Sequence, residues 1–257
     1  MIYLLFLEFV ILFIVLWFGA FITFHFFYTY KGSFKKAHNF VKEKKPGILY
    51  SIFIESPRLI ARDFSEFNPN IFKDTGLILF EGEQGSGKTI AMTKYCLDLK
   101  AKYPNIKILS NYGLQIEDDT LVTWETVVGD LNGFDGMVAC FDEISLWFSN
   151  RNYANFPPDF LRTIVQNRKE HRLILGTCQQ SVMVDKQIRR QCTRLIKCRS
   201  FGFFTVCWVF RPIKNADGDF MKLLPLKIYA FLQTDELRNI YDTFRVVENL
   251  KSIGFKE

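Results

Sequence analysis

Residues 82–89 read GEQGSGKT, directly after the apolar run GLILFE at residues 76–81. They match the phosphate-loop pattern Gly-x-x-x-x-Gly-Lys-Ser/Thr at every constrained position. The continuous apolar run is typical of a buried parallel strand, and an amphipathic helical stretch follows the loop with Ile90, Tyr95 and Leu99. A strand, a glycine-rich turn and a helix in this order predict an α/β fold that binds a nucleotide.

The residue types in this loop suit a magnesium nucleotide. Glycines let successive backbone N–H groups turn toward the phosphates, Lys88 reaches the β- and γ-phosphates, and the Thr89 hydroxyl coordinates Mg²⁺. A Gly/Ser-rich turn without a ligand is the alternative, but the flanking strand and helix favour nucleotide binding. We therefore expect ATP and Mg²⁺ as cofactors. The predicted nucleotide contacts are Gly82, Gln84, Gly85, Ser86, Gly87, Lys88 and Thr89.

A second apolar run, MVACF at residues 137–141, ends at Asp142 and Glu143. Carboxylates at the C-terminal end of a buried strand face the crevice where α/β sheets bind ligands. We expect Asp142 to hold Mg²⁺ as a Walker B aspartate and Glu143 to orient and deprotonate the attacking water. The alternative is that the pair caps the following helix.

A further strand is predicted over Leu173–Thr177, followed by Cys178, Gln179 and Gln180. A polar amide at the tip of a strand beside the Walker B strand can sense the γ-phosphate. We prefer Gln179 over Gln180 for this role, and a solvated turn residue is the alternative. Together the strands predict a P-loop NTPase of RecA/ASCE type, with a mostly parallel sheet flanked by helices.

The net charge of +6 over 257 residues is unevenly distributed. Residues 63–150 carry a net charge of −8, whereas residues 151–214 carry +10. A basic block of this kind is a solvated face, a subunit interface or a surface that follows DNA phosphates. We favour DNA contact through residues 151–214. The candidate contacts are Arg189, Arg190, Arg194, Lys197 and Arg199.

The N-terminal segment predicts a membrane anchor. Residues 9–27 contain no Asp, Glu, Lys or Arg, and about 20 apolar residues suffice to cross a bilayer. A signal peptide would need a basic start and an early cleavage site, and neither is present. Lysines follow the apolar segment, so the positive-inside rule predicts one pass with the N-terminus outside and the bulk of the chain cytoplasmic. The expected membrane is that of a bacterial host or a virion.

These features divide the chain into three predicted parts. Residues 1–30 form the transmembrane anchor, and residues 31–74 a basic juxtamembrane linker. Residues 75–257 form the P-loop ATPase domain. Predicted strands over residues 203–210 and 226–232 give that domain a C-terminal β-hairpin extension.

Three segments within residues 75–200 resemble the Zot-like proteins, the assembly ATPases of filamentous phages, within the FtsK–HerA group of DNA-packaging ATPases. The segments are GEQGSGKT, MVACFDEISLWFSNR and FLRTIVQNRKEHRLILGTCQQSVMVDKQIRRQC. The matching residues are Asp142, Glu143, Trp147, Arg151, Arg168, His171, Arg172, Gln179, Asp185 and Arg189. One departure is that the predicted anchor precedes the ATPase here, whereas those proteins generally place it afterwards.

The resemblance implies a ring in which an arginine of one subunit completes the site of its neighbour. We prefer Arg172 for this role, ahead of Arg168 and Arg151. It further implies a membrane-anchored, oligomeric, ATP-driven motor for phage DNA packaging or virion assembly and extrusion. The implied partners are DNA, the membrane, further copies of the chain, and viral capsid or coat proteins. The alternative is a nucleotide-gated membrane scaffold, or a secretion or conjugation coupling protein, without DNA translocation.

Overall fold

The chain, seen in a computed structural model, divides into two units, Met1–Asn68 and Pro69–Glu257. The structure describes residues 2–31, 47–65, 68–121, 123–129, 132–148, 158–215 and 218–241. The second unit begins before residue 75, the start that the sequence predicts, because the side chain of Phe72 is fully buried in its core. The lysine-rich part of the predicted linker, residues 32–46, lies outside the described residues.

The first unit consists of helices. Helix α1 spans Ile2–Lys31, and a second helical segment comprises α2 (Ile48–Tyr50), a π-helical turn (Ser51–Glu55) and α3 (Ser56–Ser65). The helical residues 48–65 lie within the segment 31–74 that the sequence predicts to be a linker. Apolar side chains stabilise the packing, since the rings of Phe13 and Phe53 meet edge to face at 5.0 Å.

Helix α1 includes the predicted anchor. Its segment Val10–Thr29 has a mean hydropathy of 2.4, and its side chains are largely exposed rather than buried within the chain. Among the described residues it is the one helix long and apolar enough to cross a membrane by length and composition, a test that a signal sequence also passes.

The second unit is built on one eight-stranded sheet with the order β3-β2-β4-β5-β1-β6-β7-β8. Neighbours from β3 to β6 pair in parallel, and β6–β7 and β7–β8 pair antiparallel. The strands are β1 (Gly76–Glu81), β2 (Lys107–Ser110), β3 (Asp119–Thr120), β4 (Met137–Phe141), β5 (Arg172–Cys178), β6 (Cys192–Phe201), β7 (Phe204–Lys214) and β8 (Phe220–Leu232).

Helices cover both faces of this sheet. The longest described helix of the unit, α4, packs on the face that carries Ile78 and Phe80, whereas Leu77 and Leu79 belong to the core on the opposite face. The alternation follows from the period of two in a strand. The helices of this unit are α4 (Lys88–Lys102), α5 (Trp124–Gly129), α6 (Ile144–Trp147), α7 (Pro158–Gln166), α8 (Lys186–Gln191) and α9 (Asp235–Asn239).

The sheet order brings the predicted site together. Strand β5 lies between β1, which leads into the phosphate loop, and β4, which ends before Asp142. Glu81 is level with Cys178, and Phe141 is level with Gly176, so the three carboxyl ends meet at one edge of the sheet. We call this the catalytic edge. The α/β P-loop NTPase fold predicted from the sequence is confirmed.

One glycine at the other edge of the sheet permits a close backbone contact. Gly136, directly before β4, has φ of 77°, and an added Cβ would lie 2.3 Å from the Cβ of Phe72. Phe72 is fully buried and packs against Tyr103 with ring centroids 5.0 Å apart. Any other residue at position 136 would therefore meet both an unfavourable φ and a filled core.

We predict that Gly136→Ala lowers the free energy of unfolding by about 2 kcal/mol or more, from backbone strain together with overpacking against Phe72. Thermal unfolding of the full chain in detergent measures this as a lower Tm. Gly129→Ala is the matched control, because its Cβ would meet nothing within 4 Å. Equal melting temperatures for the two variants would contradict the packing described for Gly136.

Candidate nucleotide-binding and catalytic site

The phosphate loop lies against the β6–β7 hairpin, and two glycines make this contact possible. An added Cβ at Gly82 would lie 2.8 Å from the backbone oxygen of Cys198, and one at Gly87 would lie 2.4 Å from Oγ of Ser200. Gly87 also has φ of 81° as the residue before α4. These positions need glycine for a close approach of backbone and for a left-handed turn.

Lys88 begins α4 and is held across the loop. Its side chain is 7% exposed, and Nζ donates to the backbone oxygen of Glu83 at 3.0 Å. The same Nζ lies 4.0 Å from Oε1 of Glu143. The ammonium group therefore connects the phosphate loop to the residue predicted as the catalytic base.

The loop has the features of an anion site. Ser86 Oγ is buried and has no hydrogen-bond partner among the described residues, so it can bond to a ligand. The loop leads into the N-terminus of the 15-residue helix α4, where unpaired N–H groups and the helix dipole favour negative charge. Gln84 and Gly85 lie exposed at the tip of the loop. These features fit the phosphates of a nucleotide.

Asp142 is tied to three neighbouring elements. Its Oδ1 accepts hydrogen bonds from Thr89 Oγ1 at 3.0 Å and from Thr177 Oγ1 at 2.8 Å. Its backbone exchanges two hydrogen bonds with the side chain of Asn111, of 2.7 Å and 3.1 Å. The carboxylate is thus oriented toward the start of α4.

The donor set at Asp142 fits Mg²⁺. Mg²⁺ prefers hard oxygen ligands and is usually held by one or two carboxylates together with substrate phosphates and water. The Thr89 hydroxyl and the Asp142 carboxylate supply such oxygens 3.0 Å apart. No group of three or more His, Cys, Asp or Glu side chains forms a metal site in the part of the chain that the structure describes, and a metal shared with nucleotide phosphates needs none.

Glu143 has an unusual backbone and a shifted pKa. Its φ of 51° and ψ of 57° lie in the left-handed region, and its N–H donates to Thr177 Oγ1 at 2.8 Å. Burial raises the pKa of its carboxyl, the Lys88 ammonium opposes this shift, and the Asp142 carboxylate adds to it. A strained residue beside a buried cation is typical of a functional position.

Gln179 follows β5 at the catalytic edge and is exposed. The residue before it, Cys178, accepts a backbone hydrogen bond from Gly82 at 3.3 Å. This places position 179 beside the start of the phosphate loop. Its role as a γ-phosphate sensor, and the preference over Gln180, which is also exposed, stay predictions.

The structure contradicts the assignment of Arg172 as an arginine that acts on a neighbouring subunit. Arg172 is the first residue of the seven-residue strand β5. At the usual rise per residue of a strand, it lies about 20 Å from the catalytic edge. Its guanidinium is 1% exposed and forms an ion pair of 2.6 Å with Glu170 of its own chain. A buried, paired guanidinium cannot reach another subunit. Arg168 is exposed in the preceding turn, and Arg151 lies outside the described residues.

Several residues that match the family motifs support the fold. Asp185 caps α8 by accepting from the backbone N–H of Gln187 at 2.7 Å. Trp147 packs edge to face on Phe141, with centroids 5.4 Å apart. Arg189, predicted to contact DNA, is 4% exposed and forms an ion pair with Asp219, so it is not available to DNA.

Two residues of the site were not singled out from the sequence, Asn111 and Thr177. Asn111 directly follows β2, and Thr177 is the last residue of the strand predicted over Leu173–Thr177. A polar residue at the carboxyl end of a buried strand is the signal that could have identified both. The groups to which these two side chains bond depend on the strand order, and a polar residue at a strand end does not reveal that order.

Comparison with known proteins finds no matching family model and no matching curated protein. Solved structures with a similar fold include the N-terminal domain of zonular occludens toxin from Neisseria meningitidis, with 15% identity, 65% of this chain and 98% of that chain covered, and a TM-score of 0.45. This is the family that the sequence motifs resemble.

Two further structures have still lower TM-scores. The genome-packaging NTPase B204 of Sulfolobus turreted icosahedral virus 2, bound to ATP-γ-S, has 11% identity and a TM-score of 0.40 over 55% of this chain and 92% of that chain. The flagellar accessory protein FlaH of Methanocaldococcus jannaschii has 15% identity and a TM-score of 0.38 over 61% of this chain and 89% of that chain. The fold assignment therefore depends on the sheet order and the phosphate loop of the chain itself.

Proposed function

We propose that this chain hydrolyses ATP and uses the energy to move DNA during phage genome packaging or virion assembly and extrusion. The observation that carries the ATPase part is the arrangement of Lys88, Asp142 and Glu143, with Nζ of Lys88 4.0 Å from Oε1 of Glu143. The resemblance of the sequence motifs to Zot-like assembly ATPases supports the motor part. Hydrolysis that increases on addition of DNA tests both parts together.

Each side chain has a task in this reaction. Backbone N–H groups of the loop and the Lys88 ammonium stabilise charge on the β- and γ-phosphates. Thr89 and Asp142 would hold Mg²⁺, which neutralises phosphate charge when bound. The Glu143 carboxylate accepts a proton from the attacking water, since its raised pKa brings its basicity closer to neutral pH. Thr177 orients both carboxylate residues.

We predict that Glu143→Gln lowers kcat for ATP by at least about 100-fold and leaves the Kd for ATP nearly unchanged, because the amide keeps its shape but cannot accept the proton. Phosphate release and nucleotide binding by the full chain in detergent measure the two quantities. The matched control is Glu125→Gln on α5, where an exposed carboxylate becomes an amide. A Glu143→Gln protein with normal turnover would contradict the assigned base.

DNA contact is supported by a basic cavity at the edge of the sheet opposite the catalytic edge. The cavity has a volume of about 450 Å³ and contains the side chains of Lys73, Arg194, Arg211 and Lys214. Asp74 also lines it, but this carboxylate is already paired with Lys102 at 2.6 Å. Cations from three parts of the chain therefore converge where backbone phosphates of DNA can bind.

We predict that the double variant Arg194→Gln/Arg211→Gln binds DNA more weakly and lowers the slope of log affinity against log salt by about two, one for each lost phosphate contact. Fluorescence anisotropy with labelled DNA at several salt concentrations measures this slope. Lys94→Gln, which removes a charge on α4 that pairs with Asp98, is the control. An unchanged slope would exclude this cavity from DNA binding.

We further propose that α1 anchors the chain in the cytoplasmic membrane of a bacterial host or in a virion membrane, with the N-terminus outside and the second unit in the cytoplasm. The apolar segment Val10–Thr29 supports the anchor, and the lysines after it support the orientation.

We predict that the chain stays in the membrane fraction after a carbonate wash, and that Leu12→Arg/Leu16→Arg releases it, since each arginine near the helix centre costs about 2.5–3.5 kcal/mol. Immunoblotting of pellet and supernatant measures the distribution. Leu49→Arg, on α2 outside the apolar segment, is the control. Recovery of the unchanged chain in the supernatant would contradict the anchor.

The oligomeric ring and the capsid or coat-protein partners remain part of this proposal. The second candidate function is a nucleotide-gated membrane scaffold, or a secretion or conjugation coupling protein, that does not translocate DNA. The complete catalytic set of Lys88, Asp142 and Glu143 favours turnover over gating. Hydrolysis that is independent of DNA at every salt concentration would favour the scaffold.

A further inference from the structure

A cavity of about 500 Å³ borders the phosphate loop. Gly82, Glu83 and Ser86 of the loop form one wall, and Trp208 and Phe210 of β7 lie in another. Lys197 and Arg199 of β6 and the last residue of β1, Glu81, complete the polar lining. The volume lies within the range of about 300–1,000 Å³ that is usual for small-molecule sites.

The sheet order relates this cavity to the direction of a bound nucleotide. In the proposed reaction, Thr89, Asp142 and Glu143 act on the terminal phosphate. Strand β4, which ends directly before Asp142, and strand β5 lie on one side of β1. Strands β6 and β7 are on the other side of β1. The nucleoside is at the opposite end of the molecule from the terminal phosphate, so it extends toward β6 and β7.

The side chains of the cavity suit a nucleoside. Trp208 lies level with Lys197 on the neighbouring strand, so the indole and this cation line the same face of the sheet. An indole offers a flat surface on which a base stacks, whatever its identity. Carboxylates such as Glu81 can accept hydrogen bonds from ribose hydroxyls, and the guanidinium of Arg199 can pair with the α-phosphate.

We propose that this cavity binds the base and ribose of the nucleotide, with Trp208 as the stacking residue. The inference rests on the proposed ATPase function and names the part of the chain that distinguishes a nucleoside triphosphate from bare phosphate. Stacking recognises every base through its π-face, so the cavity favours the class of nucleoside triphosphates over inorganic tripolyphosphate.

The test compares ATP with inorganic tripolyphosphate in the full chain in detergent. Trp208→Leu should raise the KM for ATP about tenfold or more, as expected for loss of a stacking partner. The inhibition constant of tripolyphosphate, which lacks a nucleoside, should not change. Trp208→Phe, which keeps an aromatic ring, should recover most of the affinity for ATP and shows that the position tolerates substitution.

Two controls separate this proposal from the proposed function. Phe134→Leu removes an exposed aromatic ring before β4, away from the catalytic edge, and should change neither constant. Lys88→Ala should weaken both ligands, and if it weakens neither, the proposed function fails. If Lys88→Ala weakens both but Trp208→Leu weakens neither, or weakens both equally, the function stands and the nucleoside site is overturned.

Discussion

One oxygen atom of the Asp142 carboxylate joins the elements on which the site depends. It accepts hydrogen bonds from Thr89 on α4 and from Thr177 on β5, while Asp142 itself directly follows β4. Hydrogen bonds to an ionised acceptor are stronger than neutral ones, and more so away from water. The helix that follows the phosphate loop, the strand beside it and the Walker B strand are therefore held in one arrangement, and Glu143 is placed opposite Lys88.

The antiparallel strands after β5 also contribute to the site. The β6–β7 hairpin packs so closely behind the phosphate loop that Gly82 and Gly87 have no room for a side chain. Gln233, after β8, donates to Ser200 at 3.0 Å and to Thr205 at 2.7 Å, which holds the hairpin at this position. Residues distant in the sequence thus support the shape of the loop, and the cavity between loop and hairpin follows from this packing.

The parts of the site that could be predicted are those whose chemistry is contained in adjacent residues. Lys88 and Thr89 are identified by their own loop, and Asp142 by the strand before it. Arg172 shows the limit, because the family resemblance implied an arginine that reaches a neighbouring subunit, whereas β5 starts at the far edge and its first side chain is buried. Exposure depends on what packs above a residue, and no local pattern contains that information.

The sequence by itself determined the phosphate loop, the apolar span of α1 and the strand–loop–helix order, because each depends on residues that are neighbours along the chain. Only the tertiary structure decided that β5 lies between β1 and β4, that Asn111 and Thr177 fix Asp142, and that Trp208 lines the same cavity as the phosphate loop. These contacts join residues tens of positions apart. Their geometry follows from strand order and register, which apolar burial on both faces of the sheet sets cooperatively.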